Sequence, residues 1–365
     1  MGDVSPKLPT SIEDVSSTWL TVALRRSGRL GPNDNAEVIG YKPLSAGSAY
    51  TTKMYRMELA GPGLPSSAII KLPVTTEVRQ LLDAIGAYQR EVTFYRELAA
   101  ETPVRVPDSL VAEYESDTGN MVLLIEDLAP LAPSDQLAGL TLKQAEAAMD
   151  GLARFHAWSW EHTRLARYAD RVLPIDSAKG RGVVEQFGKF FAMTWPAAMR
   201  AAGSALSDEV REFGARLPAL IPFFIDQLAT PRTIIHGELR SENLFFDTDG
   251  SLILIDFQIV GQGSGVYDVS YLLTQSLTAD VRHGHDEQLM RRYWNGLVAA
   301  GIKDFPWDRA WRQYRLGVAY NLLFPGMAFM TYGAANDRGK ALLLQMLSRA
   351  SNAIADNKSL DLLSD

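Results

Sequence analysis

The stretch that decides the reading runs Ile234-Ile-His-Gly-Glu-Leu-Arg-Ser-Glu-Asn-Leu-Phe-Phe246 and resumes, after Asp247-Thr-Asp-Gly-Ser251, as Leu252-Ile-Leu-Ile-Asp-Phe-Gln258. Two short apolar runs flank a turn rich in Asp and Gly, the pattern of a tight antiparallel hairpin. If Phe246 faces Leu252, then Asn243 faces Ile255 and Asp256 lies one position beyond, so the Asn243 and Asp256 side chains originate within about 5–8 Å of each other. A carboxylate and an amide oxygen at that spacing suit a hard divalent cation such as Mg²⁺, which keeps its waters and borrows further ligands from phosphates. Glu238, on the entering loop, adds a third carboxyl function. Taken alone the hairpin has a plainer explanation, because Asn243, Asp247, Asp249 and Asp256 are also ordinary turn formers.

Composition narrows the partner. A chain of 365 residues points to two structural units. Lys and Arg number 36 against 43 Asp and Glu, a net charge of −7, which argues against nucleic-acid binding and favours small ligands. The absence of cysteine excludes disulfides, thiolate nucleophiles and every sulfur-ligated zinc site. The first residues are polar and acidic, without the apolar core of a secretory signal. The one long apolar segment, 316–332, is broken by Asn321 and Pro325 and reads as a buried helix rather than a membrane span. These features predict a cytoplasmic protein without membrane contact.

Outward from the hairpin, the apolar spacing predicts a first helix over 11–26 stopped by Gly28. A small-residue loop, Ser45-Ala-Gly-Ser-Ala49, precedes strands over 51–59 and 68–72 joined across Gly61-Pro-Gly63. A long helix is expected over 77–100, then strands over 111–114 and 121–126 joined by Asp117-Thr-Gly-Asn120. Ala129-Pro-Leu-Ala-Pro133 reads as a connector, which divides the chain into units 1–128 and 129–365. Thr141 and Gln144 form a capping box that opens a helix through Trp158. The remainder is mostly helical except for the hairpin.

These loops resemble the catalytic and metal-binding loops of the protein-kinase-like fold in its small-molecule branch: aminoglycoside phosphotransferases, choline kinases and especially ecdysteroid-kinase-like proteins. The family's His-Gly-Asp-x-x-x-x-Asn appears as His236-Gly237-Glu238 with Asn243, and its Asp-Phe/Trp-Gln/Glu as Asp256-Phe257-Gln258. The resemblance covers roughly residues 40 to 275. It implies an α+β, bilobal protein-kinase-like fold, with a small antiparallel-sheet N-lobe, a hinge near 126–130 and a mostly helical C-lobe. It also implies ATP and Mg²⁺ as cofactors and transfer of the γ-phosphoryl group to a hydroxyl of a small molecule, whether aminoglycoside, choline-like compound, or steroid or other apolar alcohol. Asn243 and Asp256 would hold the metal and Glu238 would orient the acceptor. Ser45, Gly47 and Ser48 take the place of the glycine-rich loop. Glu126 and Leu128 belong to the segment whose backbone holds adenine. A protein acceptor is disfavoured, because no Ala-Pro-Glu segment follows Asp256.

The first unit supplies the lysine and acidic partner that this fold requires. Lys71 interrupts the apolar strand Ala68-Ile-Ile-Lys-Leu72, and an ammonium in a half-buried strand needs a counter-charge. Glu91 shares a helical face with Tyr88, Tyr95 and Leu98 and also points inward. In kinases such a lysine grips the α- and β-phosphates while the helix glutamate positions it.

One departure stands out: the family's catalytic Asp is Glu238 here. Its extra methylene moves the carboxylate by about 1.5 Å, and misplacement of that order can cost about 10²-fold in rate. A catalytically weak or silent nucleotide-binding module is therefore the alternative to a kinase. Elsewhere, His156 shares a face with Met149 and Leu152 and reads as a packed core histidine. His236 reads as a brace of the catalytic loop. Asp268 fits either a loop anchor or a helix N-cap, and His283-Gly-His285 lacks a third metal ligand. Gly261-Gln-Gly-Ser-Gly265 mimics a dinucleotide fingerprint, but Asp256-Phe-Gln258 intervenes and no βαβ partner follows.

Overall fold

The computed structural model describes residues 7–44, 51–74 and 78–363. Ser45, Gly47 and Ser48 lie outside the described residues. The chain forms two compact units: one gathers 1–102, 106–130 and 256–258, and the other 103–105, 131–255 and 259–365.

The first unit is built on a five-stranded antiparallel sheet, β1 (Glu37–Pro43), β2 (Thr52–Ala60), β3 (Ser67–Pro73), β4 (Ser109–Glu115) and β5 (Asn120–Glu126), in the order β1-β2-β3-β5-β4. Strand alternation decides what each face carries. Ala68, Ile70 and Leu72 of β3 join Met57, Val122 and Leu124 in a core closed by Leu20 and Leu24 of helix α1 (Ser17–Arg26). Lys71, between them in sequence, is thereby turned to the other face, where it pairs in register with Met54 and Leu123.

Two expected helices differ from their observed form. The helix expected over 11–26 is a 3₁₀ turn, Ile12–Asp14, followed by α1, because Ser16 makes its own cap by accepting from the Trp19 N–H at 3.1 Å. The helix expected over 77–100 is two, α2 (Val78–Ile85) and α3 (Ala87–Glu97). Gly86 separates them in the left-handed region at φ 69°, a conformation that ends a helix and that glycine adopts without a Cβ penalty. The break leaves Tyr88, Glu91, Tyr95 and Leu98 buried together.

The second unit is mostly helical: α4 (Leu142–Ser159), α5 (Ala178–Ala202), α6 (Asp208–Leu228), α7 (Val266–Ser276), α8 (Ala279–Arg282), α9 (Asp286–Ala299), α10 (Trp307–Tyr320), α11 (Leu323–Ala328) and α12 (Asp337–Asp356). The Thr141–Gln144 capping box opens α4 as expected. Between α6 and α7 lie four short strands, β6 (Thr233–Ile235), β7 (Leu244–Phe246), β8 (Leu252–Leu254) and β9 (Gly261–Gly263). The β7–β8 hairpin has the expected register, Phe246 opposite Leu252, and the Ile255 N–H donates to the Asn243 carbonyl at 3.1 Å. The β6–β9 pair was not expected, since three residues are too few to show a period and Gly261-Gln-Gly263 reads locally as a loop. Among the described residues no helix is long and apolar enough to cross a membrane; the apolar run 316–332 is divided among α10, α11 and a 3₁₀ turn.

Candidate active site

In the first unit a lysine sits between two carboxylates. Lys71 Nζ lies 2.6 Å from Glu91 Oε1 and 3.1 Å from Asp256 Oδ1. The Lys71 side chain is 6% exposed and that of Glu91 0%, whereas Asp256 keeps 25%. Burial alone would push the ammonium toward deprotonation, but the charges of Asp256 and Glu91 outweigh it and hold the Lys71 pKa above the ordinary lysine value. Burial acts on Glu91 in the other direction and raises its pKa, with Lys71 opposing and Asp256 reinforcing the rise. Its second oxygen, Oε2, is buried without a hydrogen-bond partner.

Asp256 reaches Lys71 because the three residues 256–258 pack with this unit rather than with their chain neighbours. Phe257 is fully buried, stacked on Phe94 with centroids 3.5 Å apart and edge-on to Tyr95. Asp256 itself stands at φ 67°, a left-handed conformation that Asp tolerates better than most residues.

Glu126 ends β5, its Oε2 accepting from the Asp108 N–H at 3.2 Å, and Leu128 follows, buried. Asp127, between them, was not singled out from sequence. Its carboxylate accepts from Arg56 Nε at 2.6 Å, Ser67 Oγ at 2.9 Å and the Ala129 N–H at 3.0 Å, fixing this segment to the sheet.

In the second unit the start of the loop 236–243 is held by one buried carboxylate. Asp268 Oδ2 accepts from the His236 N–H at 2.6 Å and Oδ1 from the Gly237 N–H at 2.9 Å, while His156 Nε2 lies 3.2 Å from Oδ2. Asp268 is the third residue of α7, whose N-cap is Gly265, so of its two sequence readings the loop anchor holds. His156 is buried, its Nδ1 2.9 Å from the Tyr293 hydroxyl, a core position as expected. Gly237 is required where it stands: its φ is 91°, and a Cβ there would lie 2.5 Å from the Ile259 carbonyl oxygen.

His236 accepts the Glu238 N–H at Nδ1, 3.3 Å, and donates from Nε2 to the Ile255 carbonyl, 2.8 Å, so it braces the loop against the strand end preceding Asp256. The Glu238 carbonyl accepts from Asn243 Nδ2 at 2.9 Å, which leaves oxygen as the remaining polar atom of the Asn243 amide. Glu238 and Asn243 thus belong to one closed loop. Arg240, also absent from the sequence reading, lies 3.4 Å from Glu238 Oε1 and 3.3 Å from Glu242 Oε2. Alternating charges at 238, 240 and 242 were the available signal. Among the described residues no group of three or more His, Asp or Glu is arranged to hold a metal, and His283 instead pairs with Asp356 at 3.2 Å. On α5, Phe191 and Trp195 are buried and stacked with ring centroids 5.0 Å apart.

The fold is that of the small-molecule branch of protein-kinase-like phosphotransferases, an α+β class. The ecdysteroid kinase-like family model matches residues 46–303, and the chain belongs to that family. Solved structures of similar fold include an aminoglycoside 2′-phosphotransferase-IIIa mutant in a GDP complex, at 13% identity, TM-score 0.53, covering 88% of this chain and 93% of that one. A microcompartment-associated aminopropanol kinase matches at 15% identity and TM-score 0.53, covering 93% and 97%. The choline kinase LicA from Streptococcus pneumoniae matches at 13% identity and TM-score 0.50, covering 87% and 94%. No curated protein matches the sequence.

Proposed function

We propose that the protein is an ATP- and Mg²⁺-dependent kinase that transfers the γ-phosphoryl group to a hydroxyl of a small molecule in the cytoplasm. The observation that carries this reading is the buried Lys71 ammonium held between Glu91 and Asp256. Withdrawing that charge from water is costly and is offset only by its two carboxylate partners, and gripping nucleotide phosphates is a task for which such an arrangement is suited. Asp256 and Asn243 offer one carboxylate and one amide oxygen, a donor set that fits Mg²⁺, which needs few protein oxygens. When bound, the ion would neutralise charge on the phosphates.

Lys71 holds the phosphates and Glu91 fixes its position. Glu238 accepts a hydrogen bond from the acceptor hydroxyl and orients it. The Ser45–Ser48 segment and the backbone from Glu126 to Leu128 bind the nucleotide. The acceptor is an aminoglycoside, a choline-like compound, or a steroid or other apolar alcohol; relatives of the fold include kinases named for the first two.

The replacement of Asp by Glu238 supports a second reading, a silent nucleotide-binding module. Incubation with Mg-ATP labelled at the γ-phosphate and a panel of the three acceptor classes separates them. The kinase reading expects labelled acceptor. Mg-ATP binding without product, unrepaired by Glu238→Asp, supports the silent module instead.

A further inference from the structure

Glu238 carries one methylene and one side-chain torsion more than the Asp it replaces, so something must fix its carboxylate if the loop is to work with it. The backbone bonds of the loop do not. The Glu238 carbonyl accepts from the Arg240 N–H at 3.1 Å and from Asn243 Nδ2 at 2.9 Å, the Asn243 N–H donates to the Arg240 carbonyl at 2.9 Å, and the Glu238 N–H donates to His236. All of these hold the main chain and the Asn243 amide, and none touches the Glu238 carboxylate.

The ion pair with Arg240 does. Arg240 Nε stands 3.4 Å from Glu238 Oε1, and Nη1 of the same guanidinium stands 3.3 Å from Glu242 Oε2. The 3₁₀ turn Ser241–Asn243 carries Glu242 back to the guanidinium, so two carboxylates flank one cation. The three side chains are 30%, 18% and 27% exposed for Glu238, Arg240 and Glu242, and their attraction is less screened than that of a surface pair. We infer that Arg240 is a positioning residue for Glu238: anchored by Glu242, its guanidinium holds the longer carboxylate in one place and so offsets the change from Asp. An Asp at 238 falls short of that guanidinium by about one C–C bond, roughly 1.5 Å, so the pairing belongs to Glu alone. The inference rests on the role given to Glu238 in the proposed function.

The test is steady-state kinetics of wild type, R240Q, R240K, E238D and the E238D/R240Q double variant on the best acceptor of the panel, with circular dichroism to confirm folding. R240Q is expected to lower kcat by about tenfold, with the KM for ATP unchanged within about twofold, because it loosens the acceptor-orienting group and not the nucleotide. R240K restores more than half of the lost rate. In the E238D background R240Q changes kcat by less than about twofold, since the partner it acts through no longer reaches it. Equal losses in the two backgrounds overturn the inference, as does a rise in the ATP KM with kcat unchanged, which would make Arg240 a nucleotide contact. A wild type without product sinks the kinase reading instead, and crystal structures of wild type and R240Q then decide the pairing. A Glu238 carboxylate displaced by more than about 1 Å in R240Q supports it, and an unmoved one overturns it.

Discussion

Replacing Lys71 by Met tests the charge arrangement beneath the functional reading. Methionine reproduces much of the apolar stem and removes the ammonium. Glu91 is then left fully buried, with neither oxygen paired to a cation and Asp256 as a like-charged neighbour. Breaking a buried pair from one side costs about 3–5 kcal/mol. Uptake of a proton would relieve the charge. At about pH 7.5, protonating a carboxyl whose ordinary pKa is 4.5 costs about 4 kcal/mol, and at about pH 5.5 only about 1.4 kcal/mol. The folded-state pKa of Glu91 lies above its unfolded value, so the residue opposes folding increasingly as the pH rises above 4.5, and loss of Lys71 deepens that penalty. In the wild type Lys71 works the other way: its raised pKa contributes stability that is fully present below 10.5 and is lost as the pH rises through the folded value. Urea unfolding followed by circular dichroism should show K71M destabilised by up to about 4 kcal/mol at about pH 7.5 and by no more than about 1–2 kcal/mol at about pH 5.5, since the wild type already bears part of the Glu91 penalty. The K71M/E91M variant should recover most of the loss, because apolar replacement of both partners is close to neutral. An equal loss at the two pH values, or a double variant no more stable than K71M, refutes the reasoning.

Gly237→Ala places a Cβ 2.5 Å from the Ile259 carbonyl at φ 91°, so a loss of about 1–3 kcal/mol and of turnover is expected; a variant as stable as wild type in thermal unfolding would show that the loop relaxes freely. Asp268→Asn confronts one of two backbone N–H donors with an amide NH₂, and a loss of about 1–3 kcal/mol with slowed transfer should follow, whereas an unshifted unfolding midpoint would count against the anchor role. Burial would raise the Asp127 pKa, but Arg56, Ser67 and the Ala129 N–H hold it below the ordinary 3.8. Its contribution is therefore present above 3.8 and fades as the pH falls through the folded value. The stability gap between wild type and D127N should be flat above about pH 5 and narrow in acid; a gap that stays constant below about pH 3 contradicts this.

Much of the site was legible because its chemistry is local. The β7–β8 hairpin and the place of Asn243 opposite Ile255 follow from one turn and a period of two, and the register is the one expected. Lys71 and Glu91 were legible as misfits, charges in otherwise apolar faces, and each is the other's partner. What escaped depends on distant contacts. The β6–β9 pair has no period to read. Asp127 gains its meaning from Arg56 and Ser67, far away in sequence. Asp268 offered two explanations until the N–H groups of His236 and Gly237 were found pointing at it. Gly86 was visible as a glycine, yet only its left-handed backbone shows that it ends one helix and starts another.

Helix α3 ties these observations into one mechanical unit. Glu91, Phe94 and Tyr95 stand at i, i+3 and i+4 on a single face. Glu91 supplies the counter-charge to Lys71, while Phe94 and Tyr95 seat the ring of Phe257 and thereby deliver Asp256 to the same ammonium. The two carboxylates are not equivalent partners. The bond to Glu91 is 2.6 Å and sealed, so it holds the lysine in place. The bond to Asp256 is 3.1 Å with a quarter of that side chain exposed, so it is the one an incoming anion can displace at least cost. In the proposed reaction Lys71 would keep Glu91 and exchange Asp256 for phosphate, releasing the Asp256 carboxylate to serve as a ligand.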